Sequence, residues 1–336
     1  MFSNKKSCIV VQTKNSRQYI PAFLAYHLRC VDKIFLIDHN SDKDYRGLAT
    51  DRVSVFRSRM AIFASDVNIN SVLSNFAEIR GFDWVFVLDI DEFLPFSSLS
   101  ETREFMERHA DKSVVSLHWR NGVPVGTVAN LTDAAALSFQ REPSGTSKMA
   151  YNTRLFRNFL ITEGNHRPLN LNWGVLGKLR KRFPQDTSYS IFHVPFLSFR
   201  NLRDKIRICP PKDFAQKINM TARPLVEKYG QNWLDKEIDT ADFTWLVANY
   251  RNGCNVIDVR SPNFSMEEVR LFRGLKQNMD VWEAQLDACP RGEVVPGTPA
   301  EADFVNRLRK KKKWGYVTTI RRCMRITDDN CIVLNT

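Results

Sequence analysis

The most constraining feature of the sequence is the order of its apolar segments in the first 120 residues. Residues 8–13, 33–38 and 83–88 are short and almost continuously apolar, whereas residues 17–31 and 67–79 carry apolar side chains with helical spacing. Strands that are apolar throughout and alternate with helices are typical of a parallel sheet covered on both faces. The sequence therefore predicts an α/β fold with a mostly parallel, Rossmann-like sheet and helices on both faces.

The pattern changes twice further along the chain. After about residue 121 the sequence becomes richer in Gly, Asn, Pro and Arg, and after about residue 210 amphipathic helical stretches follow, among them residues 266–275. Residues 289–299 contain three prolines and two glycines, which is typical of a linker. We predict three parts: a domain over 1–210 with halves 1–120 and 121–210, a helical extension over 211–290, and a linker and basic tail over 291–336.

The net charge of +12, from 49 Lys and Arg against 37 Asp and Glu, is concentrated in one segment. Residues 307–325 hold nine basic residues and no acidic one, so that 12 minus 9 leaves only +3 for the remainder. A nucleic-acid-binding protein would need basic residues across its body, and we therefore expect no nucleic-acid partner. Five cations precede Trp314 and Tyr316, a combination that favours binding to an anionic membrane surface through 307–325. A solvated tail is the alternative.

Cysteine usage and hydropathy set the expected location. The seven cysteines are scattered without a CxxC pair, which favours a reducing compartment over a disulfide framework or a zinc ribbon. No apolar run is long enough to span a bilayer, and the run that follows Lys5 and Lys6 is too short for a signal peptide. We expect a cytoplasmic protein that binds peripherally to the cytoplasmic face of a membrane.

Three acidic residues follow the most apolar segment of the chain. Asp89, Asp91 and Glu92 come directly after the predicted strand at 83–88. Ligands of open α/β sheets bind outside the carboxyl ends of the strands, where carboxylates at positions i and i+2 can both face one crevice. Hard carboxylate oxygens suit Mg²⁺ or Mn²⁺. A turn or helix cap is the alternative for any single acid, but clustered carboxylates repel one another unless a cation holds them.

Two other strand ends should line the same crevice. Thr13, Lys14 and Asn15 end the first predicted strand, and Asp38 and Asn40 end the second. Asp38 could bind the base or ribose hydroxyls of a nucleoside, and Lys14 a phosphate. Ordinary turn chemistry is the alternative for each residue alone.

These motifs together resemble a known family. TKN at 13–15, YIPAFLAYH at 19–27, IFLIDHNSD at 34–42 and DWVFVLDIDEFL at 83–94 resemble, in order and strand context, the GT-A glycosyltransferases. More narrowly, they resemble the glycosyltransferase family 2-like group related to family 92. The resemblance covers about residues 8–94 and continues more weakly to about residue 205. Three departures leave the donor open: Ser16 stands in place of an acid, Ala22 and Phe23 in place of Glu-Trp, and His39 in place of Asn.

The resemblance implies both the fold and the activity. The fold is the GT-A, nucleotide-diphospho-sugar transferase type, with a helical C-terminal region added. The activity is hexosyltransferase-type transfer from a UDP-linked nucleotide-sugar donor to a cell-surface glycan or glycolipid, as in polysaccharide or lipopolysaccharide biosynthesis, with inversion. A Mn²⁺ or Mg²⁺ ion would be held by Asp89, Asp91 and a later histidine, which His193 matches best. The residues expected at the nucleotide-sugar are Thr13, Lys14, Asn15, Asp38, Asn40, Asp89 and Lys205.

An inverting transfer also needs a base within hydrogen-bond reach of the acceptor hydroxyl. Glu163 and His166 match a family region that flanks the acceptor side. Asp186 is a rival, because its distance from the acidic motif resembles that in other family 2 enzymes. Glu92 is interpreted as a supporting residue, since it lies beside the metal-binding aspartates.

Two other function classes stay open. A haloacid-dehalogenase-like phosphatase also has Asp-x-Asp after a strand, but that family has Thr or Val where this sequence has Phe93, and its motif lies near the start of the chain. A degenerate glycosyltransferase domain could instead serve as a non-catalytic membrane- or carbohydrate-binding module, although the intact acidic triplet argues against this.

Overall fold

The sheet predicted from the apolar segments is present. Four parallel strands, β1 (Ser7–Thr13), β2 (Lys33–His39), β3 (Val53–Ser58) and β4 (Trp84–Asp89), lie in the order β4-β1-β2-β3. The computed structural model describes residues 5–60, 65–125, 128–144, 146–156, 160–162, 164, 168–169, 185–198, 200–202, 204, 266–310 and 313–334. Gln12 pairs with Asp89 and Thr13 with Asp38, so the carboxyl ends of three strands meet at one edge.

The sheet continues beyond β4 with mixed strand directions. The added strands are β5 (Glu92–Phe93), β6 (Val114–Pro124), β7 (Leu137–Gln140), β8 (Ser147–Asn152), β11 (Gln185–His193) and β12 (Met266–Val269). β8 runs antiparallel between β4 and β6, and β11 pairs parallel with β6 and antiparallel with β5. β9 (Leu160–Ile161) and β10 (Pro168–Leu169) form a separate pair. The described residues thus form a twelve-stranded sheet in which β1 to β4 are parallel to one another.

Helices cover both faces of the sheet, as predicted. They are α1 (Ile20–His27), α2 (Ser65–Asn75), α3 (Leu99–Arg108), α4 (Lys276–Ala288), α5 (Pro299–Lys310) and α6 (Lys313–Cys323). Side chains of β1 alternate between two apolar cores: Ile9 and Val11 pack with α1, α3 and α4, whereas Cys8 and Val10 pack with α2, α5 and α6. This alternation explains why the strand is apolar on both faces. The α/β fold class is confirmed.

The segment after residue 290, predicted to be a linker and tail, contains two helices and two strands. α5 buries Phe304, Val305 and Leu308, and the hairpin of β13 (Met324–Ile326) and β14 (Cys331–Leu334) follows α6. β14 pairs parallel with β3 and extends the sheet at that edge. The short apolar segment Cys331–Leu334 therefore belongs to the core. The division at residues 210 and 290 stays a prediction, since residues 205–265 lie outside the described part of the chain.

The prediction of a helix over residues 266–275 is wrong. Met266–Val269 forms β12, which pairs antiparallel with β7, and the helix begins only at Lys276. Pairing with a strand more than 120 residues earlier overrides the local helical spacing. Among the described residues, no helix combines the length and the apolar character needed to cross a bilayer.

Candidate active site

Strand pairing brings the acidic motif against a segment 100 residues later in the chain. β4 ends at Asp89, and β5 begins at Glu92. Glu92 pairs with His193 at the end of β11, and the amide of Val194 donates a hydrogen bond of 2.8 Å to the carbonyl of Asp91. The turn that carries the acids is thus held against β11 by backbone contacts.

Asp91 and His193 form a close, buried pair. His193 Nε2 lies 3.5 Å from Asp91 Oδ2. His193 Nδ1 lies 2.8 Å from the side-chain oxygen of Asn121, and the indole of Trp119 stacks on the ring at 4.1 Å between centroids. Because the Asn121 oxygen is an acceptor, this contact favours the tautomer with the proton on Nδ1, in which the lone pair of Nε2 faces Asp91. A carboxylate oxygen and an imidazole lone pair at this separation suit a shared cation.

A buried lysine separates the other two acids. Lys148 on β8 is 1% exposed, and its Nζ lies 2.6 Å from Asp89 Oδ2 and 3.3 Å from Glu92 Oε1. Glu92 is fully buried and also accepts the backbone N–H of Asp89 at 2.8 Å, whereas the Asp89 side chain is half exposed. Glu92 and Lys148 therefore fix the position of Asp89.

The electrostatics of this cluster follow from burial and charge. Burial, together with the nearby carboxylates of Asp89 and Asp91, holds the pKa of Glu92 well above its ordinary value despite Lys148. Burial alone would lower the pKa of Lys148, but Asp89 and Glu92 outweigh it and raise that pKa.

The donor atoms fit a divalent cation that is completed by other ligands. Asp91, His193 and the exposed part of Asp89 are one imidazole and two carboxylates, a set that suits Mn²⁺ or Mg²⁺. In the part of the chain that the structure describes, no three His, Cys, Asp or Glu side chains enclose a metal ion by themselves. A cation here would therefore take further oxygen ligands from water or from a bound phosphate group.

At the end of β1 lie two buried polar groups without a hydrogen-bond partner among the residues that the structure describes. They are the hydroxyl of Thr13 and the side-chain oxygen of Gln12. Lys14 is half buried, and burial lowers the pKa of its ammonium. The side-chain oxygen of Asn15, whose φ is 49°, accepts a hydrogen bond from the backbone amide of Asp42. The backbone amide of Asn15 donates to the hydroxyl of Ser41. The loops after β1 and β2 are thus joined beside the acidic cluster.

Asp38 and Asn40 are bound to protein groups. Asp38 is fully buried and accepts hydrogen bonds from Arg57 Nη1 at 2.5 Å and from the Ser41 amide at 3.1 Å. Burial raises the pKa of Asp38, although Ser41 and Arg57 oppose the rise. Asn40, at φ 53°, exchanges two hydrogen bonds of 2.8 and 2.9 Å with the backbone of Val295. Asn40 therefore holds the segment after α4 against β2, and Asp38 binds Arg57, whose Nη2 donates to the carbonyl of Glu293 in the same segment. Contact of Asp38 and Asn40 with a nucleoside stays a prediction.

The other four predicted residues lie wholly or partly outside the described part of the chain. Glu163, His166 and Lys205 lie outside the described residues, and Asp186 lies in β11 with its side chain outside them. Conversely, the site contacts of Lys148 and Asn121 are not predicted by any sequence pattern described above. The signal for Lys148 is a single cation within the strand SKMAYN, whose other residues are neutral.

The fold and the site together define a class: an α/β protein with an acidic cluster, compatible with a cation, at the carboxyl edge of its parallel strands. No family model and no curated protein matches the sequence. Among solved structures, the crystal structure of S. aureus TarS is similar, with a TM-score of 0.33 and 15% identity over 74% of this chain and 43% of that chain. The chain therefore spans less than half of TarS, and similarity at this level transfers no residue role.

Proposed function

We propose that the protein is a metal-dependent glycosyltransferase of the GT-A type. It would move a hexose from a nucleotide-sugar, UDP-linked, to a cell-surface glycan or glycolipid, with inversion at the anomeric carbon. The observation that supports this most is the pair of Asp91 and His193, 3.5 Å apart and next to Asp89 at the carboxyl end of β4. The motif resemblance over residues 8–94 supplies the reaction class.

The chemistry follows from the leaving group. Cleavage of the donor's glycosidic bond releases a nucleoside diphosphate, on which negative charge develops. Asp91 and His193, with the exposed part of Asp89, would hold the metal ion. A bound Mn²⁺ or Mg²⁺ supplies positive charge that stabilises the departing diphosphate.

The surrounding residues preorganise this site. Glu92 accepts the Asp89 amide, the Val194 amide donates to the Asp91 carbonyl, and Lys148 binds the Asp89 carboxylate. Each contact fixes a group before substrate arrives, so little reorganisation accompanies the reaction. Because Glu92 is fully buried, it suits this supporting role better than that of the base. Glu163, His166 and Asp186 stay the candidates for the base.

The test compares two site variants, Asp91→Asn and His193→Gln, with the control Asp111→Asn. Asp111 is an exposed acid in the turn that follows α3. We expect both site variants to lose Mn²⁺ binding, measured by electron paramagnetic resonance, and to lose donor turnover by at least about 100-fold. Turnover is measured on a panel of UDP-, GDP- and CMP-sugars, which also identifies the donor. The control should keep both properties.

Other outcomes of the same panel would contradict the proposal. If no nucleotide-sugar binds or is hydrolysed with any divalent metal, and Asp91→Asn behaves like the control, the enzyme is not a glycosyltransferase. Asp89-dependent hydrolysis of p-nitrophenyl phosphate would favour the phosphatase. Glycan or vesicle binding without any turnover would favour the non-catalytic module.

We also propose that the basic segment, residues 307–325, binds an anionic membrane surface at the cytoplasmic face. Its nine cations and the exposure of Arg322 and Arg325 support this partner. Such binding would bring the crevice close to a lipid-linked acceptor.

A further inference from the structure

A buried asparagine on β6 contacts the histidine of the acidic cluster. The parallel pairing of β6 and β11 sets Asn121 directly beside His193. Asn121 is 1% exposed, and its Oδ1 lies 2.8 Å from His193 Nδ1. The register of two central strands, rather than a surface loop, therefore positions the asparagine against the ring.

The side-chain amide of Asn121 is oriented by a third strand. Its Nδ2 donates to Oε1 of Gln140 on β7 at 3.3 Å, and Gln140 is itself 1% exposed. An amide that donates with its nitrogen on one side presents its acceptor oxygen on the other. Gln140 therefore directs the oxygen of Asn121 towards the ring of His193.

The ring of His193 lies between two acceptors. Nδ1 is 2.8 Å from Asn121 Oδ1, whereas Nε2 is 3.5 Å from Asp91 Oδ2. A neutral imidazole carries a single N–H, so it can donate to only one of them. With the proton on Nε2, His193 would donate to Asp91, and the two side chains would bind each other in place of a cation.

The indole of Trp119 restricts the ring to its present plane. The two rings stack at 4.1 Å between centroids, with 29° between their planes. Because this contact opposes rotation of the imidazole, the proton position, and not the ring orientation, decides which nitrogen offers a lone pair to Asp91. The acceptor at Nδ1 thus controls what Nε2 can bind.

We propose that Asn121 is a positioning residue of the cation site: it keeps the proton of His193 on Nδ1 and so prevents His193 and Asp91 from binding each other instead of a cation. This inference rests on the proposed function, to which the cation belongs. Histidine ligands of metals generally donate their other N–H to a partner, and loss of that partner lowers metal affinity by about 10–100-fold. Asn121 is that partner, and Gln140 orients it.

The first experiment locates the ring proton in the metal-free protein by long-range proton–nitrogen NMR of the histidines at about pH 8.5, well above the ordinary histidine pKa. The wild type should carry the His193 proton on Nδ1. Asn121→Leu is similar in size but offers no acceptor, and should move the proton to Nε2. Asn121→Asp keeps an acceptor oxygen and should leave the proton on Nδ1. His193→Gln identifies the resonance.

The second experiment measures Mn²⁺ affinity of the same variants by electron paramagnetic resonance. Asn121→Leu should bind Mn²⁺ about 10–100-fold more weakly, and Asn121→Asp should restore the affinity to within about threefold of the wild type. The matched control is Asn152→Leu. Asn152 is also buried, but it lies beside Trp84 at the other end of β4 and donates to the carbonyl of Ala110, so this variant should bind like the wild type.

A His193 proton on Nε2 in the wild type, or one that stays on Nδ1 in Asn121→Leu, would overturn the role of Asn121. Equal losses of Mn²⁺ affinity in Asn121→Leu and Asn152→Leu would overturn it too. If Asn121→Leu does not fold, Gln140→Leu decides: the proton should divide between both nitrogens, and an unchanged spectrum would contradict the proposal. A wild type that binds no Mn²⁺ would overturn the metal-dependent function, and the ring spectra keep that failure distinct from a failure of Asn121.

Discussion

Lys148 is the residue on which the geometry of the acidic cluster depends most. Its ammonium is buried between Asp89 and Glu92, and both carboxylates would lose their cation if it were removed. Lys148→Met should therefore lower the free energy of unfolding by about 3–5 kcal/mol, as expected when one partner of a buried ion pair is deleted. Urea unfolding measures this loss.

Two further variants separate the charge effect of Lys148 from a packing effect. Glu92→Gln combined with Lys148→Met should recover at least half of the lost stability, because the uncompensated carboxylate is gone. Lys112→Met, which removes an exposed ion pair with Asp111, should change stability little. Equal losses in the single and double variants would show that the charge of Lys148 is irrelevant.

His27, part of the motif resemblance, has a structural role. It is fully buried, its Nδ1 donates to the carbonyl of Phe23 at 3.0 Å, and its Nε2 accepts the amide of Leu94 at 3.2 Å. This arrangement needs a neutral ring, because a proton on Nε2 would face the Leu94 N–H. Burial accordingly lowers the pKa of His27 to about 3, although the bond to Phe23 opposes the shift.

The lowered pKa of His27 predicts acid sensitivity. The unfolded chain takes up the proton below about pH 6.5, whereas the folded chain does not until about pH 3, so stability is lost as pH falls between these values. From pH 6.5 to 5 the wild type should lose about 2 kcal/mol more than His27→Gln. Urea unfolding at a series of pH values measures the two slopes, and parallel curves would contradict the assignment.

At the scale of elements, β14 anchors the C-terminal region to the sheet. Ile332 is fully buried beside β3, and its carbonyl accepts the amide of Arg59 at 3.0 Å. Ile332→Ala should lower stability by about 2–5 kcal/mol, whereas Val333→Ala on the half-buried face should cost about 1 kcal/mol or less. Denaturant unfolding compares the two, and similar small losses would mean that β14 is not part of the core.

Which elements the sequence could predict depends on the source of their signal. The parallel strands were predictable because burial on both faces makes them continuously apolar, as in β4. β12 was not predictable, because its local spacing is helical and its strand form depends on pairing with the distant β7. Lys148 and Asn121 were missed for the same reason, since their roles depend on strand neighbours that the sequence does not specify.

At the scale of the whole molecule, the concentration of positive charge leads to a prediction about membranes. Arg322 and Arg325 are exposed in the basic segment. Replacing both with Glu should lower partitioning to phosphatidylserine vesicles by at least about tenfold at low salt, at roughly 1 kcal/mol per basic residue. Arg200→Glu, an exposed arginine outside the segment, is the control. Vesicle sedimentation that is unchanged, or that is insensitive to salt, would contradict membrane binding.

The position of β14 beside β3 also has a consequence for synthesis. The two strands are neighbours in the sheet, yet about 270 residues separate them in the chain. At about 5–20 residues per second, a ribosome would need roughly 14–55 seconds to add β14 after β3 has been made. During that interval the backbone groups along the outer edge of β3 are available for pairing with other nascent chains. The hairpin of β13 and β14 therefore completes the sheet and also ends the period in which the growing chain is most prone to aggregate.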